Sequence, residues 1–161
     1  MYVGSIIAPQ VKIFGVLTCK KPRPCFLTCK NPPPCYHGRG NKGGKGDGVR
    51  TLAYHKPSDA EAKWSTTVID DRMHMSHNFE VAQWDKDAAN EMLLAGLEGV
   101  FLLNPAIRGG WTRQQISNNP TGEVRQGAGA RGEKFIAAIE PMHGNQLSIY
   151  TAAKGKKLWN R

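Results

Sequence analysis

The sequence predicts an all-β chain with an irregular N-terminal arm, and three observations carry that prediction. From Gly48 onward, short apolar or alternating runs are separated by Gly, Pro, Asn and Asp turn signals. Trp64, Trp111 and Trp159 mark a recurrence with spacings of 47 and 48 residues. No run keeps a helical period. The nearest competitor, Asp85 to Leu97, contains Gly96 and recurs as the β-like stretch Phe135 to Ile139. Four antiparallel strands every ~40–50 residues is the arithmetic of a β-propeller blade, and the chain has room for about two to two-and-a-half of them. The expectation is a partial β-propeller over residues 45–161, preceded by an arm over residues 1–44.

The arm carries the charge. Of the net +9, residues 1–50 hold nine Lys/Arg against Asp47 alone, a balance of +8; the other thirteen Lys/Arg face twelve acids, a balance of +1. A basic, Gly/Pro/Lys-rich segment next to a near-neutral body reads as a solvated, disordered tail. Nucleic acid is not the expected partner. One short strand is expected at Val11–Leu17. Leu17–Phe26 is then echoed ten residues later by Leu27–Tyr36, giving Cys19, Cys25, Cys29 and Cys35 the spacing C-x5-C-x3-C-x5-C. Tight zinc knuckles use C-x2-C pairs. Zinc, disulfides and a low-complexity insertion without a defined site all stay open, with the insertion preferred. Gly40–Gly46 lacks the G-x-x-x-x-G-K-[ST] frame of a phosphate loop, since Lys45 is followed by Gly46. No window reaches the ~18 uninterrupted apolar residues of a membrane span, and no signal peptide is read at the N-terminus. The compartment is left open.

Beyond Gly48 a first strand is expected at Val49–Tyr54 and a polar-alternating one from Trp64 to Ile69. The next unit has strands A at Phe79–Trp84, B at Met92–Leu97, C at Gly99–Leu103 and D at Trp111–Ile116. A further unit has A near Gly122–Gln126, B at Phe135–Ile139 and C at Leu147–Tyr150. Glu80–Gln83 recurs as Glu123–Gln126 at an offset of 43, Ala95–Glu98 as Ala137–Glu140 at 42, and Val100–Leu103 as Leu147–Tyr150 at 47. The jump of five between the last two places an insertion, Pro141–Asn145, between strands B and C.

Val68-Ile69-Asp70-Asp71, His77-Asn78-Phe79, Trp84-Asp85-Lys86-Asp87, Leu97-Glu98-Gly99-Val100 and Ile139-Glu140-Pro141-Met142-His143-Gly144-Asn145 together resemble the VCBS/FG-GAP class of β-propeller repeats. The closer likeness is to the propeller part of the aldos-2-ulose dehydratase type. It covers about residues 45–159 and leaves out the arm. The resemblance implies a carbohydrate-processing lyase or dehydratase acting on an oxidised sugar, a reaction that a divalent metal polarising the carbonyl would help. A non-catalytic binding or interaction module of the same repeat is the alternative. Two departures qualify it. The calcium-type loop of alternating aspartates keeps Asp85 and Asp87 but has Ala89 next and no glycine, so a carboxylate-capped turn is expected there. Propellers close with four or more blades. This chain alone is therefore expected to be inactive, to need further blades, or to self-associate.

Strand parity then places the candidate chemistry. In an up-and-down unit the D-to-A and B-to-C connections share one end, which gathers His74, His77, Glu98, Glu140 and His143; Asp85 and Asp87 fall at the other. Imidazoles beside carboxylates can hold a metal or exchange protons. The expected catalytic residues are His77, His143, Glu140 and Glu98, with His77 and His143 as metal ligands. A structural reading competes at each: His77-Asn78 as a turn cap, Glu140-Pro141 as a loop anchor, and Trp64, Trp84, Trp111 and Trp159 as packing residues.

Overall fold

A computed structural model describes residues 36–37, 46–55, 57–59, 61–85, 87–106, 108–152 and 159–160. The expected strand at Val11–Leu17, the four-cysteine repeat and the glycine-rich loop fall outside the described residues, apart from the backbone of Tyr36 and His37 and from Gly46. The chain is all-β: no helix is found among the described residues, so none there is long and apolar enough to cross a membrane.

The strands are β1 (Tyr36–His37), β2 (Val49–His55), β3 (Ser65–Met73), β4 (Met75–Ala82), β5 (Glu91–Gly96), β6 (Gly99–Pro105), β7 (Trp111–Ser117), β8 (Glu123–Ala128), β9 (Lys134–Glu140), β10 (Gln146–Ala152) and β11 (Trp159–Asn160). All pairings are antiparallel, in three open sheets: a middle sheet β1-β4-β5-β6-β7, an outer sheet β11-β10-β9-β8, and the pair β2-β3. Strands β4 to β7 and β8 to β10 are thus two consecutive meanders. The expected A strand starts earlier than the sequence suggests: β3 runs on to Met73 and β4 begins at Met75, leaving His74 as the turn between them. His77 consequently lies within β4 and not in a connection.

Burial explains why the two meanders differ in pattern. Every residue of β5 and the first five of β6 are buried, and these segments read as continuous apolar runs. A strand covered on both faces has no solvent side to keep polar. Strands β9 and β10 alternate, because only one of their faces is covered. One face of the middle sheet (Ala82, Leu93, Ala95, Val100, Leu102, Ile116) packs on Val124, Ile136, Ala138 and Tyr150 of the outer sheet. Its other face (Met92, Leu94, Phe101, Leu103) packs on Ala53, Ile69 and Met73 of the β2-β3 pair. Each of these large side chains contributes about 1.5–3 kcal/mol by leaving water.

Polar ties hold the layers in place. Asp70 of β3, its side chain 1% exposed, pairs with Arg72 at 2.6 Å and with Arg113 of β7 at 3.4 Å. The Arg113 guanidinium also lies 3.4 Å from the Phe101 ring centroid. Between the other two layers, Asn78 donates to Glu123, the Gln126 amide to Glu80, and Lys134 to the carbonyls of Gln83 and Trp84.

The connections follow from turn chemistry. Leu97-Glu98 links β5 to β6, with Gly99 at φ 109 and a Cβ there only 1.9 Å from the Ser117 carbonyl oxygen, so glycine is required. The expected insertion Pro141–Asn145 is the β9–β10 connection. Register is where the repeat and the sheets part company. The offsets would place Phe135 opposite Ile149, but it pairs with Thr151; they would place Glu123 opposite Phe135, but it pairs with Ile139. Both slips are even, and an even slip leaves each side chain on the same face of its sheet.

Candidate functional site

Four connections meet at one end of the layers: His74 between β3 and β4, Leu97-Glu98, residues 118–122 between β7 and β8, and Pro141–Asn145. Backbone bonds knit them, from Leu97 N to Met75 O at 2.9 Å, Thr121 N to Gly96 O at 2.9 Å and Gly122 N to Ile139 O at 3.1 Å. His77, Glu98, Glu140 and His143 are all at this end, yet their side chains form three separate groups.

Glu98 gives one oxygen to the β3–β4 bend, and the other, Oε2, is buried without a hydrogen-bond partner. Its Oε1 accepts from the His74 amide at 2.8 Å and lies 2.7 Å from His74 Nδ1. The side chain thus caps the bend where the chain passes from the β2-β3 pair to the middle sheet.

His77 and His143 meet edge to face, with ring centroids 4.8 Å apart and planes at 75°. His143 sits at φ 62, the left-handed region, where the β9–β10 connection turns back. Gly122 fits beneath the pair: a Cβ there would lie 3.4 Å from the His143 amide nitrogen and 3.9 Å from His77 Cε1. The His77 side chain is 12% exposed, and both ring nitrogens are buried without a hydrogen bond. Its nearest charge, Glu123 Oε1, is 3.9 Å from Nδ1, too long for a hydrogen bond. Glu123 itself is engaged by Asn78 and, at 3.5 Å, by Arg125.

Glu140 is buried and saturated. Oε1 accepts from Tyr150 Oη at 2.6 Å and Ser117 Oγ at 3.1 Å; Oε2 accepts from Ser148 Oγ at 2.8 Å and Asn119 Nδ2 at 3.3 Å. Burial pushes its pKa up, but the bonds from Tyr150, Ser148, Ser117 and Asn119 outweigh burial and hold the carboxyl below the ordinary glutamate range. Tyr150 moves the other way, raised by burial and by the carboxylate it serves. A pocket lined by Gln115, Ile116, Ser117, Asn118, Asn119 and Tyr150 opens beside this network. With Thr121 Oγ1 a third hydroxyl at 3.4 Å from Oε1 and two donors on Oε2, Glu140 has little capacity left to take a proton from a substrate.

At the opposite end, the β4–β5 loop gathers Asp85, Asp87 and Glu91, with one carboxylate oxygen from each within 4.8 Å of the others. Among the described residues this is the group of three donors that could hold a metal ion; His77 and His143 are not part of such a group. Asp85 and Asp87 act as turn caps, accepting from the amides of Asp87 at 3.1 Å and Ala89 at 2.7 Å. The Asp87 amide and the Asn104 side chain lower the Asp85 pKa. Glu91 is fully buried; one oxygen accepts from the Trp84 amide and the other, Oε1, has no partner. Burial raises its pKa, and the charges of Asp85 and Asp87 raise it further. An orphaned buried carboxylate oxygen beside two carboxylates fits a hard divalent cation, which prefers oxygen ligands. Sequence reading reached Asp85 and Asp87 but not Glu91, whose signal is an acid heading the apolar run Met92–Ala95.

Comparison of the chain with protein-family models, curated proteins and solved structures gives no significant match.

Proposed function

We propose that this chain is a non-catalytic binding or interaction module of the VCBS/FG-GAP-like propeller type, comprising about two to two-and-a-half blades. In this reading β4–β7 and β8–β10 are successive blades and β2-β3 is the outer half of a preceding one. The observation that carries it is the saturation of Glu140 by Tyr150, Ser148, Ser117 and Asn119, while Glu98 turns one oxygen to the bend at His74. Glu140 keeps no open lone pair to act as a base, whereas the second Glu98 oxygen, Oε2, is buried without a hydrogen bond. The test is turnover of an oxidised sugar, an aldos-2-ulose, by the full chain with magnesium, zinc or manganese added. No dehydration product is expected; product that disappears in His77→Ala or His143→Ala would overturn the reading.

A second reading, a carbohydrate-processing lyase or dehydratase, is favoured by one feature, the unpartnered nitrogens of His77 next to His143. There His77 and His143 would hold a divalent metal or exchange protons, and a sugar-derived carbonyl compound would be the substrate. A divalent cation has a better-matched donor set at Asp85, Asp87 and Glu91, where it would neutralise the loop and stabilise the module.

A further inference from the structure

The repeat correspondence assigns a partner to the uncovered face of the outer sheet. Leu93, Ala95, Val100 and Leu102 form the face of the middle sheet that the outer sheet covers. At offsets of 42 and 47 their counterparts are Phe135, Ala137, Leu147 and Ile149, and the even register slips keep these four on one face. Of these, Phe135 and Ala137 are half-buried and Leu147 and Ile149 are exposed. Val100 and Leu102 are 0% and 6% exposed, whereas Leu147 and Ile149 are 62% and 39% exposed. The face is also smooth, since Gly127 leaves room for the Phe135 ring: a Cβ there would lie 2.2 Å from Phe135 Cζ.

The same positions therefore serve as a docking face in one meander and stand open in the next. What fits such a face is the reverse side of another sheet of the same repeat. This chain carries a reverse side at the other end of its layers. In β3, Ile69 packs toward the middle sheet, and its neighbour Val68, beside a register shift in the β2-β3 pairing, stays exposed. Val68 is 47% exposed, and Trp64, just before β3, is 44% exposed. Large exposed side chains thus stand at each end of the stack, with Val81 of β4 a further one at 39%, while β5 and the first five residues of β6 between them are covered on both faces.

We propose that Leu147, Ile149, Phe135 and Ala137 dock against the β2-β3 end of a second copy of this chain, head to tail. Such an interface is heterologous and generates either a closed ring or an open chain of copies. The inference extends the interaction-module reading by naming a partner. The absence of sugar turnover tests that reading separately and would stand even if association failed.

The experiment is sedimentation velocity on the full chain over a concentration series, with circular dichroism as the folding check. Wild type is expected to shift from monomer to dimer and larger species as concentration rises. L147E/I149E and V68E are each expected to stay monomeric, and an equimolar mixture of the two is expected to restore a dimer, because each retains one intact end. L147T/I149T, strand-compatible and polar, serves if the glutamates disturb folding. A wild type that stays monomeric would overturn the proposal. So would association that survives both double variants, or loss with L147E/I149E but not with V68E, which would indicate pairing of two outer sheets.

Discussion

Tyr150 of β10 donates a 2.6 Å hydrogen bond to Glu140 of β9, and the pair is buried where the outer sheet meets Ser117 of β7 in the middle sheet. The carboxylate thus acts as a clamp between layers, accepting donors from β7, β10 and the β7–β8 connection. A clamp and a catalytic base make opposite demands on a carboxylate. The first wants every lone pair filled and a low pKa; the second needs an open lone pair and a pKa near the working pH.

Removing the phenol should therefore cost stability. Tyr150→Phe deletes one hydrogen bond to a charged acceptor, and the expected loss is about 1.5–3 kcal/mol in urea unfolding. The pH dependence has a fixed sign. The folded Glu140 pKa lies below its unfolded value, so its contribution is present above the unfolded pKa and is lost as pH falls through the folded one. In Tyr150→Phe that acid transition should move to higher pH. An unchanged acid limb would show that Glu140 is not held by this donor.

Glu91 should behave in the opposite way. Its folded pKa is raised by burial and by Asp85 and Asp87, so its ionisation opposes folding as pH rises from the unfolded value towards the raised one. Glu91→Gln keeps an acceptor for the Trp84 amide and removes the buried charge. It is expected to stabilise the chain by about 1–3 kcal/mol at neutral pH in the absence of divalent ions. Calcium should raise the melting temperature of wild type and not of Glu91→Gln, because a cation lowers the cost of the same charge. Equal melting curves with and without calcium would remove the cation reading and leave the pH prediction intact.

Much of the fold was legible because period-two burial and turn residues are local. Met92–Leu97, Gly99–Leu103, Phe135–Ile139 and Leu147–Tyr150 lie within a residue or so of β5, β6, β9 and β10, and Pro141–Asn145 is their expected connection. Parity also placed His77, Glu98, Glu140 and His143 at one end of the sheets. Register was not legible: the Phe135–Thr151 and Glu123–Ile139 pairings depend on loop length and cross-strand packing, which a sequence offset does not carry. Nor were the donors of Glu140, since Ser117, Asn119, Ser148 and Tyr150 approach from separate elements and none is marked by its neighbours in sequence. His77 looked like a connection residue because β4 begins four positions before the expected Phe79.

The face correspondence makes a paired prediction. Leu102 and Ile149 occupy matching faces, but only Leu102 is covered by a sheet. Leu102→Ala should cost about 2–5 kcal/mol, the loss of a buried side chain plus the cavity it leaves. Ile149→Ala, measured at concentrations where the chain is monomeric, should cost less than about 1 kcal/mol. Similar losses at both positions would mean that something in the monomer covers the outer face.

His77 offers the sharpest separation of structural from chemical roles. An imidazole brings two ring nitrogens that hydrogen-bond, and here both are buried without a hydrogen bond. A group in that position lowers stability unless something else occupies the site. His77→Phe keeps the ring and its edge contact with His143 while removing both polar atoms. It is expected to stabilise the chain by about 1–2 kcal/mol in urea unfolding, the desolvation cost of the lost pair. Zinc should leave the wild-type melting temperature unchanged. If His77 instead served as a ligand, zinc would stabilise wild type, the gain would vanish in His77→Phe, and the metal-dependent lyase reading would regain the ground that the saturation of Glu140 takes from it.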